Sequence, residues 1–184
     1  LILDDRDKQY DKGSIPELLS DALGVSFDSN IGHDFLDNSQ ERYEFYHTKE
    51  DKIEFDLEYF NEITKGGLSR KALSIALAGT GVGKTLFMTH CAAANLMAGK
   101  NVLYITMEMA EERIAERIDA NLLDLTLDDL RYLTRDVYHS RMSSVKKRTT
   151  GKLIVKEYPT ASAGANHFRF LLNELKLKKN FVPD

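Results

Sequence analysis

Cysteine is nearly missing from this chain. Cys91 is the only one in 184 residues, so no internal disulfide can form and a cysteine-built zinc site is excluded. That usage suits a reducing, intracellular compartment. Long apolar runs are missing as well: none approaches the ~20 residues a helix needs to span a membrane. The first twelve residues are mostly charged, which excludes a signal peptide there. The five histidines, His33, His47, His90, His139 and His167, share no ligand spacing, so no histidine metal site is expected. No internal repeat or low-complexity tract occurs. The first residue is Leu1 rather than Met, and the sequence reads as a piece of a longer chain.

What is present is the composition of a soluble globular protein, 42% hydrophobic and 29% charged. The length allows one α/β domain with a core and some extension. The net charge of -4 hides an asymmetry. Residues 1–64 carry 17 acidic and 6 basic residues, whereas residues 65–184 carry 12 and 19. Two solvated faces would account for this, and so would an acidic arm joined to a domain that meets polyanions. The division expected is a helix-bearing linker over 1–52 and a catalytic domain over 53–184.

Residues 1–13 are polar and linker-like. "SIPELLSDALG" predicts a short helix with Ser14 as N-cap, Pro16 in the first turn and Gly24 as stop. So short a helix must dock on something, its own domain or a neighbouring subunit. "VSFDSNIGHDFLDN" is turn-rich, and "SQERYEFYHTKED" predicts a second helix. From Ile53 the texture changes. "LEYFNEIT" predicts a helix stopped by Gly66-Gly67. "ALSIALA" (72–78) has the length and apolarity of a strand buried on both faces. A helix over "TLFMTHCAAANLMAG", a strand over "NVLYITM" (101–107) and an amphipathic helix over 110–123 follow, the last with Ile114, Ile118 and Leu122 on one face. Thr126 and Asp129 are spaced like a capping box. A polar helix is expected over about 136–149, a third strand over "KLIVKEY" (152–158), and a last helix with Phe168, Leu171, Leu172 and Leu175 inward. Strands alternating with helices predict an α/β fold with a mainly parallel sheet covered on both sides.

Between the first of those strands and its helix lies Ala78-Gly79-Thr80-Gly81-Val82-Gly83-Lys84-Thr85. It fits the P-loop pattern G-x-x-x-x-G-K-[ST], with Ala in the first position. The three glycines let the backbone curl so that successive N–H groups point inward at phosphate oxygens. The helix start, through Leu86, adds unpaired N–H groups and its positive end. Lys84 can reach the β- and γ-phosphates of a nucleotide such as ATP, and the Thr85 hydroxyl can take one position on Mg²⁺. A plain glycine-rich turn would not need the strand, loop and helix in this order.

Hydrolysis asks for more, because a water must be oriented and deprotonated. The second strand ends "YITMEM", which puts Glu108 at a strand's carboxyl end, where ligands of open α/β sheets bind. There it could act as general base. It could equally be a surface carboxylate favourable to the next helix's dipole.

The run from "FNEITKGGL" through the glycine loop to "YITMEMAEERIAERI" resembles the RecA-like motor domain of DnaB-family replicative helicases, nearest to the T-even bacteriophage members. "GGL", A-G-x-G-x-G-K-T and "YITMEM" carry the likeness, in that order and spacing, and it extends more weakly over nearly the whole chain. The resemblance implies a RecA-like P-loop NTPase fold, incomplete on its C-terminal side and preceded by a helical linker. It implies ATP and Mg²⁺ as cofactors, Glu108 as catalytic base, and Lys84 and Thr85 on phosphate and metal. It further implies a ring of six subunits around single-stranded DNA, a primase and a helicase loader as partners, and the cytoplasm of a phage-infected bacterium as location. The family's second metal-site carboxylate ends a further strand. Asp184 follows no apolar strand and is not assigned that role. The 184 residues alone are expected to bind nucleotide and not to unwind DNA.

Other readings share parts of this pattern. A recombinase or clock-type RecA-like ATPase would share the cradle and Glu108. A small-molecule kinase would need an acceptor pocket and an arginine-bearing lid, and neither is evident. A nucleotide-binding module without catalysis needs only the cradle. The basic runs Lys146-Lys147-Arg148 and Lys176-Lys178-Lys179 could meet phosphates, although such runs are more often solvated helix faces. His90 and Cys91 read as packing residues, and Arg113 and Arg117 as exposed decoration after Glu108.

Overall fold

A computed structural model describes residues 32–184. The helix expected over Ser14–Leu23 and the linker before it lie outside the described residues. Of these, residues 32–49 belong to one unit and Glu50–Asp184 to another. In the first unit, α1 (Ser39–His47) is the predicted aromatic helix, and no residue on it is buried. Its start is shaped by Asp34, whose carboxylate accepts from the amides of Leu36 and Asp37, both at 3.0 Å. The Arg42 guanidinium lies 4.1 Å from the centre of the Phe35 ring.

The second unit runs β1 (Lys52–Ile53), α2 (Glu58–Ile63), β2 (Leu68–Ser69), α3 (Lys84–Met97), β3 (Asn101–Thr106), α4 (Glu111–Leu123), α5 (Leu127–Tyr132), α6 (Arg135–Arg148), β4 (Lys152–Glu157) and α7 (Ala165–Lys179). β1 and β2 form a small antiparallel pair, which the sequence reading had not anticipated. β3 and β4 are parallel, paired residue for residue from Asn101–Lys152 to Thr106–Glu157.

The core lies between α3, α4 and one face of this parallel pair. Ala92 and Ala93 on α3 and Ile114 and Ile118 on α4 are buried, packed by Val102, Tyr104, Leu153 and Val155. The strand residues alternate, as the two-residue period requires. The two adjacent alanines keep α3's contact surface small where it meets its neighbours. α4 has no side-chain cap of its own. Glu157, the last residue of β4, supplies one: its carboxylate accepts from the Glu111 amide at 3.1 Å, and the Glu111 carboxylate accepts from the Glu157 amide at 3.2 Å. The capping box at Thr126 and Asp129 forms as predicted and starts α5.

Two expectations fail. Residues 72–78 form no strand: no ladder partner for them exists among the described residues. Their apolar side chains are therefore bare, Leu73 at 89%, Ile75 at 78% and Leu77 at 95% exposure. Apolar composition supplies the burial term, but a strand also needs a neighbouring backbone for its N–H and C=O groups. The sheet is accordingly two small pairs, with only β3–β4 parallel. On α7 only Leu175 is buried, and Leu172, expected inward, is 40% exposed.

Around residues 52–70 the chain is held by specific contacts. Phe55, Phe60 and Phe87 cluster with ring centroids 5.4 to 6.0 Å apart, joining α2 to α3. Arg70 reaches Asp51 at 2.9 Å and Asp184 at 3.2 Å.

Candidate nucleotide site

The loop from Ala78 to Lys84 closes on its own lysine. The Lys84 ammonium donates to the carbonyls of Ala78 at 2.9 Å and Gly79 at 2.8 Å. Gly81 and Gly83 stand at φ 76° and 108°, left-handed values that side-chain-bearing residues rarely adopt. Gly83 is the N-cap of α3 and no side chain caps this helix. The amides of Lys84, Thr85 and Leu86 thus open the helix without a side-chain acceptor, which is the arrangement that receives an anion. The Thr85 hydroxyl makes no hydrogen bond among the described residues. Thr80, Val82 and Leu86 are exposed around the loop, Val82 at 71% and Leu86 at 61%. These groups fit a triphosphate and its magnesium ion. The N–H groups are unclaimed, a cation is held only by two carbonyls, and a hydroxyl is available for the metal.

Glu108 sits two residues beyond β3, in the bend that leads to α4. It is exposed, and its carboxylate makes no hydrogen bond or ion pair among the described residues. A short turn after Met97 reverses the chain from α3 into β3, so the two run in opposite senses side by side. A 14-residue helix rises ~21 Å and a 6-residue strand ~20 Å. The start of α3 and the end of β3 therefore come level at one edge. Met88, one turn into α3, and Ile105, near the end of β3, line a cavity of about 480 Å³ that runs the length of β3 to Asn101 and Asp184. Lys84 thus opens α3, and Glu108 follows the end of β3 that this reversal turns toward it.

Asp184 lies at the other edge. Its carboxylate accepts from the Asn101 amide at 2.7 Å, and its own amide donates to the Asn101 carbonyl at 2.9 Å. That amide, then Arg70, holds the Asp184 carboxyl below its ordinary range.

The remaining singled-out residues are mostly structural. His90 Nδ1 lies 3.2 Å from the Asn121 amide nitrogen. Cys91 is half-buried on α3, and burial pushes its thiol up. Arg113 pairs with Glu116 at 3.0 Å, and Arg117 donates to the Arg113 carbonyl at 3.0 Å. Among the described residues no group of three His, Cys, Asp or Glu side chains is placed to hold a metal ion, and no helix is long and apolar enough to cross a membrane. Sequence reasoning missed the residues that frame the bend at Glu108, namely Thr106, Glu157 and Thr160. Only the hydroxyl closing β3 could have signalled them.

Residues 39–163 match the family described as "AAA domain". The chain is also similar to a protein of Enterobacteria phage T4 described as a "DnaB-like replicative helicase", 50% identical over 179 residues. That alignment covers 96% of this chain and 38% of the phage protein, so the chain spans well under half the length of the relative it matches.

Proposed function

Because the chain belongs to the AAA-domain family and resembles a DnaB-like replicative helicase, we propose that it is part of the motor of a replicative DNA helicase. In this reading the 53–184 segment is the first portion of a RecA-like ATPase domain, and 1–52 is a linker to a neighbouring subunit. The whole protein hydrolyses ATP to move along single-stranded DNA, as a homo-hexamer working with a primase and a loader in the cytoplasm of an infected bacterium. The observation that supports the reading is the open, uncapped start of α3 with Lys84 beside it.

The chemistry follows from those groups. Lys84 exchanges the Ala78 and Gly79 carbonyls for phosphate oxygens, a swap of neutral for anionic acceptors that strengthens each bond. The amides from Gly79 to Leu86 surround the same oxygens. Thr85 would hold the magnesium ion, which when bound would neutralise charge building on the phosphates. Glu108 is free to accept a proton from an attacking water, because no neighbour occupies its oxygens. As 184 residues alone, the chain supports nucleotide binding without unwinding.

Two substitutions in the full-length protein test this. Lys84→Ala should weaken binding of a fluorescent ATP analogue by at least about tenfold, as loss of a charge-assisted bond implies. Glu108→Gln should keep that binding and lower DNA-stimulated ATP turnover by roughly 100-fold or more. Undiminished turnover in Glu108→Gln would remove the general-base assignment. Undiminished binding in Lys84→Ala would remove the cradle.

A further inference from the structure

The bend that carries Glu108 is fixed by two threonines on either side of it. Thr160, in the loop between β4 and α7, donates its hydroxyl to the Met107 carbonyl at 2.8 Å. Thr106, the buried last residue of β3, accepts from the Met109 amide at 3.2 Å and donates to the Met109 carbonyl at 2.8 Å. The Met107 carbonyl belongs to the peptide plane just before the Glu108 Cα, and the Met109 amide to the plane just after it. The angle between two successive planes is the whole backbone freedom of the residue between them. Holding both planes fixes the direction of the Glu108 Cα–Cβ bond and leaves only side-chain rotation.

The support behind Thr160 is itself built. The Tyr158 amide donates to the Thr106 carbonyl at 2.9 Å, continuing the β3–β4 ladder past its end. The Pro159 carbonyl accepts from the Ser162 amide at 3.0 Å and from the Ser162 hydroxyl at 2.6 Å, closing the loop. Ala161 stands in the left-handed region at φ 59° inside that turn. The Glu111–Glu157 exchange pins the far side of the bend. By contrast the Glu108 carboxylate has no partner of its own among the described residues, so its aim depends on its backbone. A general base placed about 1 Å wrongly loses on the order of 100-fold in rate.

We infer that Thr160 and Thr106 are positioning residues for Glu108, aiming its carboxylate across the sheet edge at the nucleotide's terminal phosphate. The inference rests on the reading of Glu108 as general base. It makes the β4–α7 loop part of the catalytic apparatus, although no residue of that loop touches nucleotide in this reading.

The test uses the full-length protein and DNA-stimulated ATP hydrolysis. Thr160→Val keeps the shape and removes the donor. It should lower kcat by roughly 5- to 20-fold, between the loss of one hydrogen bond and full misplacement of the base, with KM within about twofold. Thr160→Ser restores the hydroxyl and should bring kcat back to within about twofold. The double variant Glu108→Gln/Thr160→Val should be no slower than Glu108→Gln alone, because Thr160 acts only through Glu108. Thr106→Ser, which keeps the hydroxyl at the buried position, should stay within about threefold of the parent. The inference is overturned by a parental kcat in Thr160→Val, by failure of serine to rescue, or by a further loss on the Glu108→Gln background. Full turnover in Glu108→Gln would instead remove the base reading itself, so the two failures are told apart.

Discussion

Two apolar stretches of the same unit meet opposite fates. β3, "NVLYIT", is paired with β4 and covered by α3 and α4, and Thr106 at its end is 6% exposed. Residues 72–78, "ALSIALA", are at least as apolar, yet Leu77 is 95% exposed and no backbone among the described residues pairs with them. The difference lies in the neighbours. β3 has a parallel partner from the same βαβ-type crossover and two helices that cover it, one through Ala92 and Ala93 and the other through Ile114 and Ile118. The 72–78 segment has α3 beyond its loop and open space where a partner backbone would lie. The edge of β3 away from β4 is open along most of its length as well, with Val182–Asp184 bonded only at Asn101. A hydrophobic run favours burial of a segment without securing it. It does not say which strand will bury it.

The widest gap between the two stretches should appear in stability. Ile114 is 1% exposed and sits in the core, so Ile114→Ala should cost about 2–5 kcal/mol in chemical unfolding. Leu77→Ala in the same 184-residue chain should cost less than about 0.5 kcal/mol, because there is almost no burial to lose. A comparable cost at both positions would mean that 72–78 is covered in solution and would break the contrast. In a longer protein that supplies a neighbouring strand, the Leu77 cost should rise toward that of Ile114.

That contrast also marks what the sequence could tell. Helices with a one-sided apolar stripe or a clear cap were legible: α4 through Ile114 and Ile118, α5 through Thr126 and Asp129, α3 through its run from the glycine loop to Gly99. Their signals are local, carried within one or two turns. The turn at Gly81 and Gly83 that opens α3 was legible for the same reason, since its conformation is set by residues adjacent in the chain. The state of 72–78 was not, because pairing is a property of two segments and the sequence shows one. The supports of Glu108 were hidden likewise. Thr160 lies 52 residues from it, and no spacing rule links a loop hydroxyl to a distant carbonyl. Leu172 was placed inward on helical period alone, but α7 buries only a narrow line at Leu175.

A smaller effect probes the rim of the closed half. The Thr126 hydroxyl accepts from the Asp129 amide at 3.0 Å and donates to the Asp129 carboxylate at 2.6 Å. Thr126→Ala should cost about 1 kcal/mol. α5 has no buried residue, so its start depends on this cap far more than α4 depends on any single polar contact. The Asp129 carboxyl is held below its ordinary range, chiefly by the Thr126 hydroxyl. The carboxylate's share of the box is therefore present above the unfolded carboxyl range and is lost as pH falls through the folded value, whereas the bond from the Asp129 amide to the Thr126 hydroxyl does not titrate. Equal stability of parent and Thr126→Ala at neutral pH would show that α5 is held by packing alone.

The smallest effect lies on the seam between α4 and α6, and it appears only in alkali. The Tyr138 hydroxyl donates to the Asp119 carboxylate at 2.8 Å. Burial first, then this bond and the neighbouring negative charge, push the Tyr138 phenol from 10.0 up to about 12. An acid whose folded value is raised stabilises the fold fully below its unfolded value, and that contribution fades as pH rises through the folded one. The window is thus pH 10 to about 12. Tyr138→Phe cannot ionise, so the stability difference between parent and variant should shrink steadily across that window. Lysine ionisation in the same range is common to both proteins and cancels in the difference. A difference that stays constant from pH 9 to 12 would mean the phenol is not held by Asp119, and that α6 is anchored through Val145, its one buried residue.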